Sequence, residues 1–213
     1  MLRHVVWDWN CTLFDDHVAV VAAVNDALAL LALPPIGVDD YRSQFTRPVT
    51  RFYERLAGRP ITAEEWRALD RTYHDSYHGW LDRLRLAPGA EAALARAARA
   101  GLSQSLLSMW RHELLVPLVQ QLGIGRFFVR VDGLRGPGGG SKATYLVEHL
   151  DAVGVGGADT LMVGDSLDDL DAARAVGARC VLYDGGSHHR HALEATGAPV
   201  VDELGAALTT AGI

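Results

Sequence analysis

The sequence predicts an α/β protein with a doubly wound, parallel, Rossmann-like sheet into which an all-helical domain is inserted. Two observations predict this fold. From residue 90 onward, short apolar runs alternate with helical segments, which is typical of a parallel sheet covered by helices on both faces. Before that point, residues 16–86 show helical patterns, and they directly follow one apolar strand at residues 3–7.

The inserted region is expected to be wholly helical. Its predicted helices cover 18–33, two short segments within 38–57, and about 62 to 85. The first ends at Pro34-Pro35, because proline cannot continue a helix. The last begins at Thr62, which forms a capping box with Glu65.

The second half supplies the rest of the sheet. The predicted order is helix 90–100, strand 103–107, helix 112–121, strand 127–131, helix 142–153, strand 160–163, helix 167–176, strand 179–183 and a strand–helix unit over 199–211. The glycine-rich stretch 133–140 is expected to be a loop. The predicted domains are therefore a core of residues 1–15 plus 87–213 and a helical insertion of residues 16–86.

Composition excludes several classes of protein. The 213 residues carry a net charge of -6 without a basic stripe, which argues against a nucleic-acid-binding or membrane-surface protein. No apolar run is long enough for a membrane span, and the N-terminus does not resemble a signal peptide. The two cysteines, Cys11 and Cys180, form no disulfide framework, which favours a reducing cytoplasm.

Side chains that could take part in catalysis or metal binding follow the ends of several predicted strands. Asp8 follows the first strand, Ser108 follows the second, and Asp165 and Asp169 follow the strand at 160–163. Lys142, the only lysine, opens a helix after the glycine-rich stretch. Ligands of doubly wound sheets bind at the carboxyl ends of the strands, so these groups are expected to converge. Clustered carboxylates favour Mg²⁺, and a lysine and a hydroxyl beside the metal suit a phosphoryl group.

These segments resemble the four motifs of the haloacid dehalogenase-like (HAD) superfamily, in order and approximate spacing. The matching segments are Val5-Val6-Trp7-Asp8-Trp9-Asn10-Cys11-Thr12, Leu106-Leu107-Ser108, Lys142, and Gly164-Asp165 with Asp169. The resemblance covers essentially the whole chain and is nearest to the phosphoglycolate-phosphatase-like branch. The insertion at 16–86 stands where that branch carries a helical cap.

The resemblance implies a cytoplasmic, Mg²⁺-dependent phosphatase that acts on a small phosphate ester, as a monomer or homodimer. Asp8 would attack phosphorus and become phosphorylated. The metal would be held by the Asp8 carboxylate, the Asn10 main-chain carbonyl and Asp165, with Asp169 close by. Ser108 and Lys142 would bind the phosphoryl oxygens, with Asn10 and Thr12 in the same phosphate-binding loop. The cap would close over the site and contact the substrate.

Two residues depart from the family pattern. Asn10 replaces an aspartate that, in the family, protonates the leaving group and then activates water, which an amide cannot do. Asn10 is either native or an introduced trapping substitution. Cys11 replaces the usual glycine and is interpreted as a buried thiol rather than a nucleophile. The alternative function is therefore a non-catalytic phosphometabolite-binding protein.

Other patterns carry less weight. Gly136 to Lys142 does not fit a P-loop, because Ala143 follows the lysine. The histidines at 188, 189 and 191 are interpreted as a polar helix start rather than a metal site. Asp168 and Asp171 are expected to be helix residues and not ligands. One or two of Tyr73, His74, Tyr77, His78 and Trp80 are expected to face the substrate, which remains open among phosphoglycolate, sugar phosphates, nucleotides and larger phosphosugars.

Overall fold

The sheet at the centre of the protein is parallel throughout. A computed structural model describes residues 1–136 and 141–213. Its six-stranded sheet is built from β1 (His4–Trp7), β4 (Ser103–Arg111), β5 (Arg130–Leu134), β6 (Thr160–Gly164), β7 (Arg179–Tyr183) and β8 (Val200–Val201). The spatial order is β5-β4-β1-β6-β7-β8, and all neighbouring pairs run parallel. The predicted α/β fold is confirmed, and the chain order reverses beside β1, where such sheets bind ligands.

Helices cover both faces of the sheet and form the insertion. They are α1 (His17–Ala29), α2 (Val38–Gln44), α3 (Val49–Ala57), α4 (Ala63–His78), α5 (Ala90–Arg99), α6 (His112–Gln121), α7 (Lys142–Val153), α8 (Leu167–Val176), α9 (Arg190–Glu194) and α10 (Leu204–Thr210). Side chains alternate along each strand, so β1 places Val5 in one buried cluster and Val6 in another. None of the helices in the described part of the chain is both long and apolar enough to cross a bilayer.

The ends of the insertion meet in a short ribbon. β2 (Phe14–Asp15) pairs antiparallel with β3 (Arg85–Leu86), which brings the entry and exit of α1–α4 together. The expectation of helix up to residue 85 is wrong here, because α4 ends at His78. The reason is the pairing with β2, a long-range contact that the local pattern of residues 79–86 does not show.

Two strand boundaries also differ from the sequence expectation. β4 continues through Ser108 to Arg111, with an irregular register after Leu107. β5 begins three residues later than expected, and Gly133 and Leu134 belong to it rather than to a loop. A Cβ atom on Gly133 would lie 2.5 Å from the Trp110 carbonyl oxygen, so glycine permits this close approach of β5 to β4. The rest of the expected loop, residues 137–140, lies outside the described residues.

A buried polar chain links β1, β4 and α7 on one face of the sheet. The Ser105 hydroxyl hydrogen-bonds with His4 Nε2 at 2.7 Å and with His149 Nε2 at 2.6 Å. His4 Nδ1 pairs with the Ser103 hydroxyl at 2.7 Å, and His149 Nδ1 with Asp132 at 2.8 Å. Burial lowers the pKa of His4 to about 4, so its imidazole is neutral at pH 7.

Candidate active site

Three carboxylates meet at the carboxyl end of the sheet. Asp8 directly follows β1, Asp165 directly follows β6, and Asp169 lies in the first turn of α8. Because β1 and β6 are adjacent and parallel, these side chains converge: one oxygen from each lies within 4.8 Å of the others, and all three residues are buried. Within residues 1–136 and 141–213, this is the one such cluster of three or more potential metal ligands.

The lysine that opens α7 reaches the same cluster. The Lys142 ammonium contacts Asp8 and Asp169, and only 2% of the residue is exposed. Burial alone would lower the pKa of Lys142, but attraction to Asp169 and Asp8 outweighs it and raises the pKa above its ordinary value. The ammonium therefore stays charged at neutral pH.

The charge of the cluster is suited to a divalent cation. Burial raises the pKa of Asp8 well above its ordinary value, an effect that Lys142 opposes. Burial and repulsion from Asp169 raise the pKa of Asp165 to about 6. Three carboxylates around one ammonium carry two uncompensated negative charges when ionised. Hard oxygen donors with that charge fit Mg²⁺.

Hydrogen bonds hold the first two carboxylates in place. The Thr12 hydroxyl lies 3.0 Å from Asp8 Oδ2 and 3.2 Å from Asp165 Oδ1, so it bridges the two side chains. The Ser187 backbone N–H donates to Asp165 Oδ2 at 2.6 Å. Thr12 is fully buried and contacts the carboxylates, whereas the wall of the neighbouring cavity does not include it.

The third carboxylate is fixed by the start of its own helix. Asp169 Oδ2 accepts from the Ser166 N–H at 3.0 Å and from the Ser166 hydroxyl at 2.6 Å, which completes a capping box on α8. Gly164 lets the side chain approach, because a Cβ there would lie 2.3 Å from Asp169 Cγ. Asp168 forms an ion pair with Arg47, and Asp171 is exposed, so neither belongs to the carboxylate cluster.

Ser108 lies behind the cavity wall. Its hydroxyl donates to Asn10 Oδ1 at 3.3 Å and accepts from the Trp110 N–H at 3.0 Å. The residue is 1% exposed and, like Thr12 and Asp169, does not line the cavity. Of the residues predicted to take part in catalysis, phosphate binding or metal binding, Asp8, Asn10, Lys142 and Asp165 line it.

A network around Asn10 was missed by the sequence analysis. Asn10 Nδ2 donates to Asp16 Oδ2 at 2.6 Å and to the Tyr77 hydroxyl at 3.0 Å. Tyr77 donates to the same Asp16 oxygen at 2.5 Å, and the Cys11 N–H donates to the other at 2.6 Å. Burial raises the pKa of Asp16, while the bonds from Asn10 and Tyr77 oppose the rise. The sequence feature that could have indicated this network is the acidic pair Asp15-Asp16 shortly after Asn10.

Cys11 adopts a backbone conformation that favours glycine. Its φ is 58°, in the left-handed region, at the position where the family pattern has glycine. The residue is 5% exposed, and burial raises the pKa of its thiol well above the ordinary value. A protonated, buried thiol is a poor nucleophile, which supports the interpretation made from the sequence.

A cavity of about 1020 Å³ opens between the carboxylate cluster and the insertion. Tyr73, His74 and Tyr77 of α4 line it, together with Trp110 and Arg111 at the end of β4. The exposed His78 does not, and Trp80 does not either. The insertion therefore supplies a large part of the wall that faces Asp8.

The insertion also docks on the loop after β7. Arg42 of α2 donates to the carbonyl oxygens of Gly186 at 2.8 Å and Gly185 at 3.1 Å. Phe45 packs edge-on against His188, with ring centroids 5.7 Å apart. This loop, which includes the histidines at 188 and 189, thus contacts the insertion and forms no potential metal cluster in the described part of the chain.

Substituting Gly186 by alanine is expected to weaken metal binding. A Cβ at this position would lie 2.2 Å from Asp165 Oδ2, so Asp165 must shift. Disturbing residues that orient metal ligands typically lowers metal affinity about 10–100-fold. Isothermal titration with Mg²⁺ measures the change. Gly205→Ala is the control, because a Cβ there meets no atom within 4 Å. Equal Mg²⁺ affinity in the two variants would contradict the prediction.

The parallel sheet and the acidic, lysine-containing site at its carboxyl edge define a Rossmann-like α/β enzyme with a helical insertion. The sequence model of the haloacid dehalogenase-like hydrolases matches residues 2–177, and the chain belongs to this family. The resemblance stated from the motifs is confirmed.

Similar proteins agree with this assignment. Phosphoglycolate phosphatase 1 of Pseudomonas aeruginosa is 29% identical over 95% of this chain and 77% of its own length. The phosphoglycolate phosphatase of Caulobacter vibrioides is 29% identical over 92% of this chain and 85% of its own. The crystal structure of a predicted phosphatase from Clostridium acetobutylicum superposes with a TM-score of 0.87 over 100% of both chains at 14% identity, which shows a shared fold.

Proposed function

We propose that the protein is a Mg²⁺-dependent phosphatase that hydrolyses small phosphate monoesters through a phosphorylated Asp8. The observation that carries the proposal is the buried cluster of Asp8, Lys142, Asp165 and Asp169, of which the first three line one cavity. Relatives that share most of this chain are phosphoglycolate phosphatases, which supports phosphate-ester hydrolysis. The non-catalytic alternative finds no support in these relatives.

The proposed reaction has two displacements at phosphorus. An Asp8 carboxylate oxygen forms a bond to phosphorus while the bond to the ester oxygen breaks, and the released alkoxide takes up a proton from solvent water. Water then attacks the same phosphorus and returns a proton to solvent, while the bond between phosphorus and Asp8 breaks, which releases inorganic phosphate and restores Asp8. Lys142 neutralises charge on the phosphoryl oxygens, and Thr12 orients Asp8. Mg²⁺ held by Asp8, Asp165 and the Asn10 carbonyl would add further charge neutralisation, with Asp169 close by.

Ser108 does not line the cavity, so its proposed role in phosphate binding is indirect. Its hydroxyl is buried against Asn10, so we propose that it contacts the phosphoryl group through a local shift or acts by holding Asn10. The proposal also includes a cytoplasmic location, which two buried, unpaired cysteines support.

Release of inorganic phosphate from a set of monoesters tests the function. Protein treated with EDTA is expected to be inactive and to regain activity when Mg²⁺ is added. Asp165→Asn should require far more Mg²⁺ or lose activity, whereas the exposed control Asp171→Asn should behave like the unmodified protein. Activity that is independent of added Mg²⁺ after metal removal would contradict the proposal.

Replacing Lys142 by arginine is expected to lower kcat/KM about 100-fold or more, by analogy with the loss of one charge-stabilising donor. The ammonium is buried against two carboxylates, and a planar guanidinium is too wide for that point contact. Steady-state kinetics should show the loss, while Arg174→Lys on the exposed side of α8 should change nothing. An unchanged kcat/KM in Lys142→Arg would place the lysine outside the reaction.

A further inference from the structure

We infer that this phosphatase takes monoesters whose leaving group carries an aromatic ring system of nucleobase size or larger, in preference to phosphoglycolate. The inference rests on the proposed function and adds the substrate class. It is carried by the size, the aromatic wall and the charge balance of the cavity above Asp8.

The size of the cavity favours a large leaving group. Its volume of about 1020 Å³ is at the upper end of small-molecule pockets, which commonly span about 300–1,000 Å³. The two-carbon acid of phosphoglycolate would leave most of this space to water. Binding energy for the reacting phosphoryl group comes from contacts to the rest of the substrate, so a larger group uses the cavity better.

The wall of the cavity is rich in aromatic rings, six of which form two groups of contacting rings. Tyr41, Phe45 and Phe52 form one group, in which the rings of Tyr41 and Phe45 stack at 5.1 Å. Tyr73 and Tyr77 stack at 6.0 Å, and Tyr77 meets Trp110 edge-on at 5.7 Å.

Two of these rings leave surface free for a ligand. Phe45 and Tyr73 are only partly buried, so they keep ring surface that a ligand can cover. An aromatic guest gains both apolar burial and favourable ring geometry against such surfaces.

The charges in the cavity disfavour a second anionic group on the substrate. Five carboxyl side chains line it, namely Asp8, Asp70, Glu113, Asp165 and Asp168, against three basic ones, Arg47, Arg111 and Lys142. Lys142 already contacts Asp8, and Arg47 forms an ion pair with Asp168 at 3.4 Å. Arg111 is exposed and shares the wall with Asp70 and Glu113. Apart from Asp8 and Asp165, which would face the metal, and the Arg47–Asp168 ion pair, a carboxylate on the leaving group would meet two acidic side chains, Asp70 and Glu113, and one basic side chain, Arg111.

Three primary alkyl phosphates test the inference: 2-naphthylmethyl phosphate, n-butyl phosphate and 2-phosphoglycolate. Each releases a primary alcohol, so differences report mainly on the cavity. With Mg²⁺ present, kcat/KM for the naphthylmethyl ester is expected to exceed the other two by about 30-fold or more, from burial of its rings. Phe45→Leu and Tyr73→Leu should each lower the ratio of kcat/KM for the naphthylmethyl ester to kcat/KM for phosphoglycolate about 5–10-fold, mainly through KM for the naphthylmethyl ester. Tyr145→Leu on α7, outside the cavity, is the matched control.

The outcomes separate this inference from the proposed function. Mg²⁺-dependent release of phosphate with phosphoglycolate as the best substrate, or with equal rates for all three, would overturn the inference and leave the function standing. No release from any ester would overturn the function. In that case, the affinity of Asp8→Asn protein for the naphthylmethyl ester and for phosphoglycolate, measured by tryptophan fluorescence, still decides which leaving group the cavity prefers.

Discussion

Replacing Asp8 by asparagine is expected to lower kcat by at least about 10⁴-fold, as removal of a nucleophile typically does. The amide has nearly the same shape but cannot form the phosphoryl bond. The substitution also removes one charge from a buried acidic cluster, so the folded protein should be at least as stable as the original. Rapid acid quench followed by mass spectrometry should find a phosphoryl group on the unmodified protein and none on the variant.

Two controls make the result specific to the nucleophile. Thermal unfolding of Asp8→Asn shows whether the fold survives, and Asp171→Asn replaces an exposed carboxylate with no contact to the cluster. A phosphorylated Asp8→Asn protein, or one with the original kcat, would show that Asp8 is not the nucleophile.

Exchanging the acid and the amide between positions 10 and 16 is expected to speed turnover. Asn10→Asp alone would place a carboxylate about where the amide nitrogen now lies, 2.6 Å from Asp16, and two carboxylates at that distance cannot both ionise. The double variant Asn10→Asp/Asp16→Asn keeps one acid and one amide in contact. Since a general acid/base typically contributes about 10²–10⁴-fold, the double variant should raise the steady-state rate about 100-fold or more, and Asn10→Asp alone should raise it much less.

Rapid-quench kinetics with an aryl phosphate measures both steps. The unmodified protein is expected to show a burst of phosphorylated Asp8 followed by slow turnover, because Asn10 cannot activate water. The double variant should lose the burst. His74 is the competing proton donor, since it lines the cavity and pairs with Asp70 at 3.4 Å. This account of position 10 would be refuted if both proteins had equal steady-state rates and neither showed a burst. A slow His74→Gln variant would then identify His74 as the proton donor.

The sequence was sufficient for the fold class and for the convergence of Asp8, Asp165 and Lys142. Strand ends and helix starts are encoded locally, and parallel strands bring their carboxyl ends to one edge. The contacts of Asn10 with Tyr77, sixty-seven residues away, could not be predicted in this way. They depend on how α4 packs over the loop after β1, which no local pattern specifies. The ribbon between β2 and β3 was missed for the same reason.

The residues that line the cavity could not be fully predicted from the sequence either. One or two of Tyr73, His74, Tyr77, His78 and Trp80 were expected to face the substrate. The first three line the cavity, whereas His78 and Trp80 do not. Helical spacing gives the face that these residues share, but not which neighbour that face meets. The burial of Ser108 behind Asn10 has a similar origin, since β4 continues past Ser108 and places its hydroxyl inside the fold.

The buried polar chain through His4, Ser105 and His149 has a consequence for Asp8 and Ser108, which lie at the other end of the strands. Shifting β4 by one residue against β1 would turn Gln104 towards α7 and leave both imidazoles facing the wrong side chains. Such a shift would strand several buried donors and acceptors, so intermediate alignments are strongly disfavoured. The same register of β1 against β4 determines how far Asp8 lies from Ser108 along the strand direction. Polar contacts remote from the carboxylate cluster therefore fix the positions of Asp8 and Ser108 relative to each other along the strands.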